Sequence, residues 1–411
     1  MKTEFDKTWT TSNGYFNQNH RSNSTQYAVV FYIAFALFLA SSLLSETNFE
    51  QFFLIDANVV RSLLSLWASI YLALYLVLSN IRVSRLVISL LIILFSLIIW
   101  FTSGESDYVW LSLFFVSSVS IDEKSIYKIT VCVYSCVLLV TMICSFAGVI
   151  DSQVMLSERL AQSRYSFGFT HPNQFARVLT VICLSLMALY FEEGLSKKIA
   201  IAACVLLLLL FESFTVGSRT TEIILIIGLS IFMLCENERF RIGINTFAPL
   251  LAVIIILISL TFMVAFNPSN GFIDKLDAFL SHRLGFMHQY FKVCGLDLLG
   301  REDFRAAGVG MMSLKGTYNT FVVDNAFAHL ILREGIIAFG MFIVLIVISM
   351  VIESRRRVFS SIQFGLLLFC LIGFVETYQY KVDCNIFLIC VGPLIWDSIN
   401  NCLSERHWTR R

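Results

Sequence analysis

Long apolar stretches alternate with short polar breaks along most of the chain. Hydropathy predicts spans at about 27–44, 59–79, 86–101, 108–120, 126–149, 173–191, 199–213, 219–235, 246–266, 325–352, 362–377 and 384–400. A helix needs about 20 apolar residues to cross a bilayer, and most of these segments approach that length. The pattern therefore predicts an all-α polytopic membrane protein of about twelve transmembrane helices, forming one membrane domain over 1–411. Two of the breaks are longer: an outer loop at 150–172, and a large extracytoplasmic loop at 267–323 between the ninth and tenth spans. Within the second, the apolar residues between 271 and 291 recur at helical spacing, which predicts one amphipathic helix on the membrane surface. Gly295, Gly300, Gly308, Gly310 and Gly316 make the remainder a turn-rich lid.

Composition agrees with this pattern. The 411 residues are 57% hydrophobic and 14% charged, with 38 Phe and only 4 Pro, so most of the chain belongs in lipid. The net charge of +1 and the absence of a basic tract give no support to nucleic-acid binding. The 11 cysteines lie mostly inside apolar runs with no CxxC, as small buried hydrophobes do. Cys294 and Cys384 both fall in outer loops, but no spacing pattern pairs them. The polar start of the chain runs into a full apolar segment without a small-residue cleavage site, so no cleavable signal peptide is expected.

Lysine and arginine set the orientation. With both termini cytoplasmic, the inner segments hold Lys2, Lys7, Arg82, Arg85, Lys124, Lys128, Lys197, Lys198, Arg239, Arg241, Arg355, Arg356, Arg357, Arg410 and Arg411, among others. The first two outer loops, 45–58 and 102–106, hold none. Three outer segments break the rule: 151–171 carries Arg159 and Arg164, the turn at 212–218 ends at Arg219, and 267–323 carries Lys275, Arg283, Lys292, Arg301, Arg305 and Lys315. Cations set against the insertion bias point to an anion bound at the outer face.

Four constellations follow. The stretch Arg164-Tyr165-Ser166-Phe167-Gly168-Phe169-Thr170-His171-Pro172-Asn173 is a polar turn that opens an apolar helix. Thr170 is suited to cap that helix, and Pro172 to its first turn. The free N–H groups and positive dipole end then face outward with Arg164, His171 and Arg177 nearby, an arrangement that favours phosphate. Asn173 and Arg177, four apart, share a helix face. Gly217-Ser218-Arg219-Thr220 opens the eighth span, with Glu222 either pairing with Arg219 or orienting it. Asn325, His329 and Arg333, spaced four and four after Asp324, draw a polar stripe down the tenth span, reading either as the wall of a hydrated cavity or as polar glue between helices. Arg283, beside His282 and His288, and Arg301 stand in the long loop. Glu376, Tyr378, Tyr380 and Lys381 form the last outer turn. There is no Walker motif, no HExxH or DxD cluster and no Gly-x-Ser-x-Gly elbow, and the outer histidines make no zinc-ligand spacing. No metal and no cofactor is expected.

Taken in order, Arg164…Gly168-Phe169-x-x-Pro172-Asn173, Ser218-Arg219-Thr220, Gly300-Arg301, and Val323-Asp324-Asn325 with Gly335-Ile336-Ile337 resemble the O-antigen polymerase/ligase superfamily. These are the Wzy-type polymerases of O-antigen, capsule and exopolysaccharide and the related ligases. The resemblance covers residues 160–340 and the span layout. It implies a GT-C-like fold in the bacterial inner (plasma) membrane and a metal-independent, inverting glycosyl transfer from undecaprenyl pyrophosphate at the extracytoplasmic face. The implied partners are the undecaprenyl-pyrophosphate-linked oligosaccharide, membrane lipid, a flippase and a chain-length regulator. By position, Arg219 and Arg283 match the arginines that hold the pyrophosphate. Arg164, Asn173, Arg177, Arg301 and Asn325 complete the substrate-binding set. The ligases place a His-Asn pair nine residues before Gly-x-x-Gly. Here Asn325 precedes Gly335 by that interval, but Asp324 replaces the histidine and Ala338 the last glycine. The departure favours polymerase over ligase and leaves Asp324 as the base, with His171 and His329 as rivals. Fixed guanidinium groups stabilise a departing pyrophosphate without a metal, and a positioned base on the acceptor hydroxyl contributes about 10²–10⁴-fold. Two other readings remain: a ligase moving glycan to a different acceptor, and a flippase or transporter of lipid-linked oligosaccharide, which would want charge along a central path and on both leaflets.

Overall fold

The computed structural model describes residues 18–49, 57–78, 83–119, 121–157, 162–301, 312–314, 317–319, 323–356 and 358–408. Of the residues read from sequence, Lys2, Lys7, Arg82, Arg159, Arg305, Gly308, Gly310, Lys315, Gly316, Arg357, Arg410 and Arg411 lie outside them.

The chain is nearly all helical: α1 (Gln18–Leu44), α2 (Ala57–Leu78), α3 (Val83–Ser103), α4 (Asp107–Ser117), α5 (Glu123–Phe146), α6 (Pro172–Leu189), α7 (Leu195–Thr215), α8 (Arg219–Leu234), α9 (Glu238–Ala265), α10 (Gly271–Phe279), α11 (Arg283–Cys294), α12 (Ala326–His329), α13 (Ile336–Ser354), α14 (Ser361–Gly373) and α15 (Phe387–Trp408). Among the described residues, two antiparallel hairpins depart from the all-α expectation: β1 (Val154–Ser157) with β2 (Gln162–Tyr165), and β3 (Met312–Leu314) with β4 (Thr317–Asn319).

Among the described residues, seven helices are long and apolar enough to cross a membrane: those at Val59–Val77, Arg85–Ser103, Glu123–Phe146, Pro172–Leu189, Leu195–Thr215, Glu238–Ala265 and Ile336–Ser354. Shorter apolar helices lie at Ala28–Leu44, Asp107–Ser117, Ser361–Gly373 and Phe387–Ile399. The chain is built as a polytopic membrane protein. Peripheral helices expose large apolar side chains such as Leu63, Phe101, Leu207 and Leu257, whereas α14 and most of α6 are enclosed by their neighbours. Helices α8 and α9, joined by a short turn, both pack on α14.

Three expectations change. The helix after the polar turn is capped by His171, not Thr170: His171 Nδ1 accepts from the Asn173 N–H at 3.0 Å, while Thr170 turns to Gln174. The expected surface helix over 271–291 is two helices, because Ser281 and His282 both take positive φ (60° and 64°). Asp277 replaces the lost continuity by accepting from the Leu284 and Gly285 N–H groups, at 2.9 and 3.0 Å. Asp277→Ala is expected to destabilise the α10–α11 corner by about 1–2 kcal/mol, read as faster amide exchange at Leu284 and Gly285 than at the start of α9.

The segment predicted as the tenth span is also interrupted. After α12 the chain makes a π turn over Leu330–Glu334, and Gly335, at φ +96°, breaks it before α13 begins. The first N–H groups of α13 lack helical partners and are met from the loop: Ile336 donates to the Asp297 carbonyl at 2.9 Å and Ile337 to Leu298 at 3.2 Å. In return the Arg301 N–H donates to the Arg333 carbonyl at 3.0 Å. The backbones touch because Gly300 and Gly335 have no side chains. A Cβ on Gly335 would sit 2.5 Å from the Gly300 nitrogen and 2.6 Å from the Leu298 oxygen. Cys294 and Cys384 are both free thiols.

Candidate functional site: an arginine-lined cavity

A cavity of about 560 Å3 opens between α8, α9 and α14, beneath the α10–α11 corner. Its floor is apolar: Ile223, Ile224 and Ile227 from α8, Ile255 and Ile258 from α9, and Leu371 from α14. Ile223 and Ile258 are each 43% exposed, so the apolar end reaches the lipid-facing surface between α8 and α9. Its rim is polar and carries Arg164, Asn173, Ser218, Arg219, Thr220, Arg283 and Glu376. A volume in this range suits a small-molecule head group with part of a chain.

The rim residues come from four places in the sequence. Arg164 lies in β2; its Nε donates to the Val216 carbonyl at 2.6 Å and its Nη2 to Asn173 Oδ1 at 2.5 Å, tying the hairpin to the end of α7 and the start of α6. Arg219 is the first residue of α8, so its guanidinium stands beside that helix's free N–H groups. It lies over the Phe279 ring at 5.7 Å and donates to the Phe279 carbonyl at 3.5 Å. Among the described residues no carboxylate lies within ion-pair distance of Arg164 or Arg219, and the Arg219–Glu222 pair read from sequence is not formed. Arg283 opens α11. It is held by Asp324 at 3.2 Å, by Glu376 at 2.9 Å and by the Val375 carbonyl.

The structure thus brings Arg164, Asn173, Arg219 and Arg283 to one cavity, with Asp324 attached through Arg283. His171 adjoins it through the α6 cap; burial, then the Arg164 guanidinium, hold its pKa below the ordinary imidazole value. A neutral ring with Nδ1 as acceptor is what the cap requires. Asn325 has a structural role. Its side-chain carbonyl caps α12 at the Ala328 N–H (2.9 Å), and its amide donates to the Phe374 carbonyl (2.9 Å) and to Ser259. It pins the Asp324 and Glu376 segments to α9.

Three residues stand apart from the cavity. Arg177 pairs with Glu46 and lies over the Tyr378 ring at 5.7 Å. His329 is hydrogen-bonded through Nδ1 to the Tyr380 hydroxyl at 2.8 Å. Arg301 pairs with Asp297 at 3.2 Å and donates to the Cys294 carbonyl. The stripe of Asn325, His329 and Arg333 is likewise spent on protein partners, with Arg333 paired to Glu105 and Glu334 accepting from Ser103 at 3.3 Å. Among the described residues no group of His, Cys, Asp and Glu could hold a metal ion.

Sequence reasoning undervalued Glu376. It lies in the turn after α14, lines the cavity and is bonded to Arg283. A lone acid in an outer turn, opposite loops rich in arginine, was the available signal. Phe279, which lies over Arg219, carried no signal at all. No family model matches the chain, and neither a curated protein nor a solved structure matches it.

Proposed function

We propose that this chain is a polysaccharide polymerase of the Wzy type, a GT-C-like glycosyltransferase of the bacterial inner membrane with both termini in the cytoplasm. It transfers a growing glycan from undecaprenyl pyrophosphate to the terminal sugar of a lipid-linked repeat unit, with inversion and without a metal. One observation carries the reading: a cavity whose arginine rim stands over an apolar floor that reaches the lipid-facing surface. A lipid pyrophosphate needs that combination, cations for the head and a path into the bilayer for the tail. The guanidinium groups would take up charge as the pyrophosphate departs, where water is scarce and each fixed donor counts most. The cations lie on the side that the positive-inside bias assigns to the exterior, which favours extracytoplasmic transfer over passage across the membrane.

Product size tests the reading. A strain lacking the chain should accumulate single lipid-linked repeat units, and the restored chain should return long polymer. Accumulation of long lipid-linked polymer would instead make it a ligase. Repeat units trapped on the cytoplasmic leaflet would make it a transporter.

A further inference from the structure

The three arginines of the cavity are not equivalent. Arg164 and Arg219 bond to carbonyls and an amide, and among the described residues no carboxylate pairs with either. Arg283 lies between two carboxylates, Asp324 and Glu376, with side chains 19%, 28% and 20% exposed respectively. That three-group unit carries a formal charge of −1, so a pyrophosphate gains little by approaching it. Of the two acids, Glu376 lines the cavity and Asp324 does not. Thr220, next in sequence to Arg219, lines the same cavity as Glu376. An ionised carboxylate has about four acceptor sites, so the Arg283 donor leaves room for a sugar hydroxyl.

We infer that Glu376 is the general base of the transfer and that Arg283 is its positioning residue, anchored from behind by Asp324, with the pyrophosphate held by Arg164 and Arg219. This rests on the proposed polymerase reading. In the step, Glu376 takes the proton of the acceptor hydroxyl and that oxygen forms its bond to the anomeric carbon. The bond from that carbon to the pyrophosphate oxygen breaks, and its electron pair leaves with the pyrophosphate, whose charge meets Arg219 and Arg164. Glu376 then returns its proton to water. The base and a phosphate-binding arginine must stand on either side of one carbon, and Glu376 and Arg219 line the same cavity.

Burial holds the Glu376 carboxyl above its usual range, Asp324 adds to this, and Arg283 and Thr220 oppose it. Arg177 and Tyr378 also face it. Because the base works ionised, the rate rises with pH through that raised pKa. Removing the Arg283 cation moves this acid limb to higher pH.

The test uses the full chain in detergent, with undecaprenyl pyrophosphate as the binding probe, followed by turnover in membranes loaded with the cognate repeat unit. Arg219→Gln should weaken binding of the probe at least about tenfold, the worth of one charge-assisted contact. Arg283→Gln and Glu376→Gln should leave binding within about threefold, since without Arg283 the two carboxylates share a proton and the local charge hardly changes. Turnover should fall about 10²–10⁴-fold in Glu376→Gln and less in Asp324→Asn, and Arg283→Gln should show the shifted acid limb. Retained binding also shows that Arg283→Gln and Glu376→Gln are folded. If the wild-type chain does not bind the probe, the polymerase reading itself fails. Should it bind, and Arg283→Gln weaken it as much as Arg219→Gln, Arg283 is a pyrophosphate ligand and the inference is overturned. Near-normal turnover in Glu376→Gln, or a greater loss in Asp324→Asn, overturns it equally.

Discussion

Replacing Arg219 with alanine is expected to cut polymer synthesis by about 10²–10³-fold, the range seen when one preorganised donor to a developing oxyanion is removed. Arg219 opens α8, lines the cavity and has no carboxylate partner among the described residues, so its charge is available to a ligand. Its holding contacts are weak, a carbonyl at 3.5 Å and the face of Phe279. A bound pyrophosphate would replace them with bidentate, charge-assisted bonds. The loss should appear in the rate constant for transfer more than in the apparent affinity for acceptor, because the leaving charge is largest in the transition state. Arg219→Lys should recover only part of the activity: lysine restores the charge but not the fork. Synthesis that survived Arg219→Ala at the wild-type level would remove the arginine rim from the chemistry.

Gly335→Val should be the most damaging single change to the fold, at roughly 3–5 kcal/mol. Two effects combine. A β-branched residue is strained at φ +96°, and its Cβ would meet backbone atoms of Leu298 and Gly300 that belong to another segment and cannot rotate away. The contact is also what supplies carbonyl partners to the first turn of α13, so the variant strands polar groups as well as introducing a clash. The measurement is the folded fraction recovered in detergent, against Gly340→Val as control. A Cβ on Gly340, inside α13, meets nothing within 4 Å. Equal recovery of the two variants would mean that the loop-to-helix contact contributes little.

The sequence made some of this legible and hid the rest for identifiable reasons. Apolar length located the helices well, because a segment that must satisfy its backbone in lipid has few alternatives to a helix. It could not show that the segment from 325 onward is interrupted, since Asn325, His329 and Arg333 keep a helical spacing right up to Gly335. The break depends on a π turn and on carbonyls contributed from Asp297 and Leu298, a distant segment. The same distance effect divided the site. Arg164, Asn173, Arg219 and Arg283 stood out because positive charge ran against the insertion bias. Glu376 did not, because its meaning comes from an arginine far away in the chain. His329 and Arg177 looked chemical in sequence yet are consumed by Tyr380 and Glu46. A buried polar residue has to find a partner whether or not it has a function.

The most direct test is a reaction with purified components: the full chain in detergent, a synthetic undecaprenyl-pyrophosphate repeat unit of the cognate structure, and EDTA. The expected result is a ladder of products differing by one repeat unit, undiminished by the chelator. Intact substrate and no ladder, from a chain that remains folded and binds undecaprenyl pyrophosphate, would contradict the assignment as a polymerase.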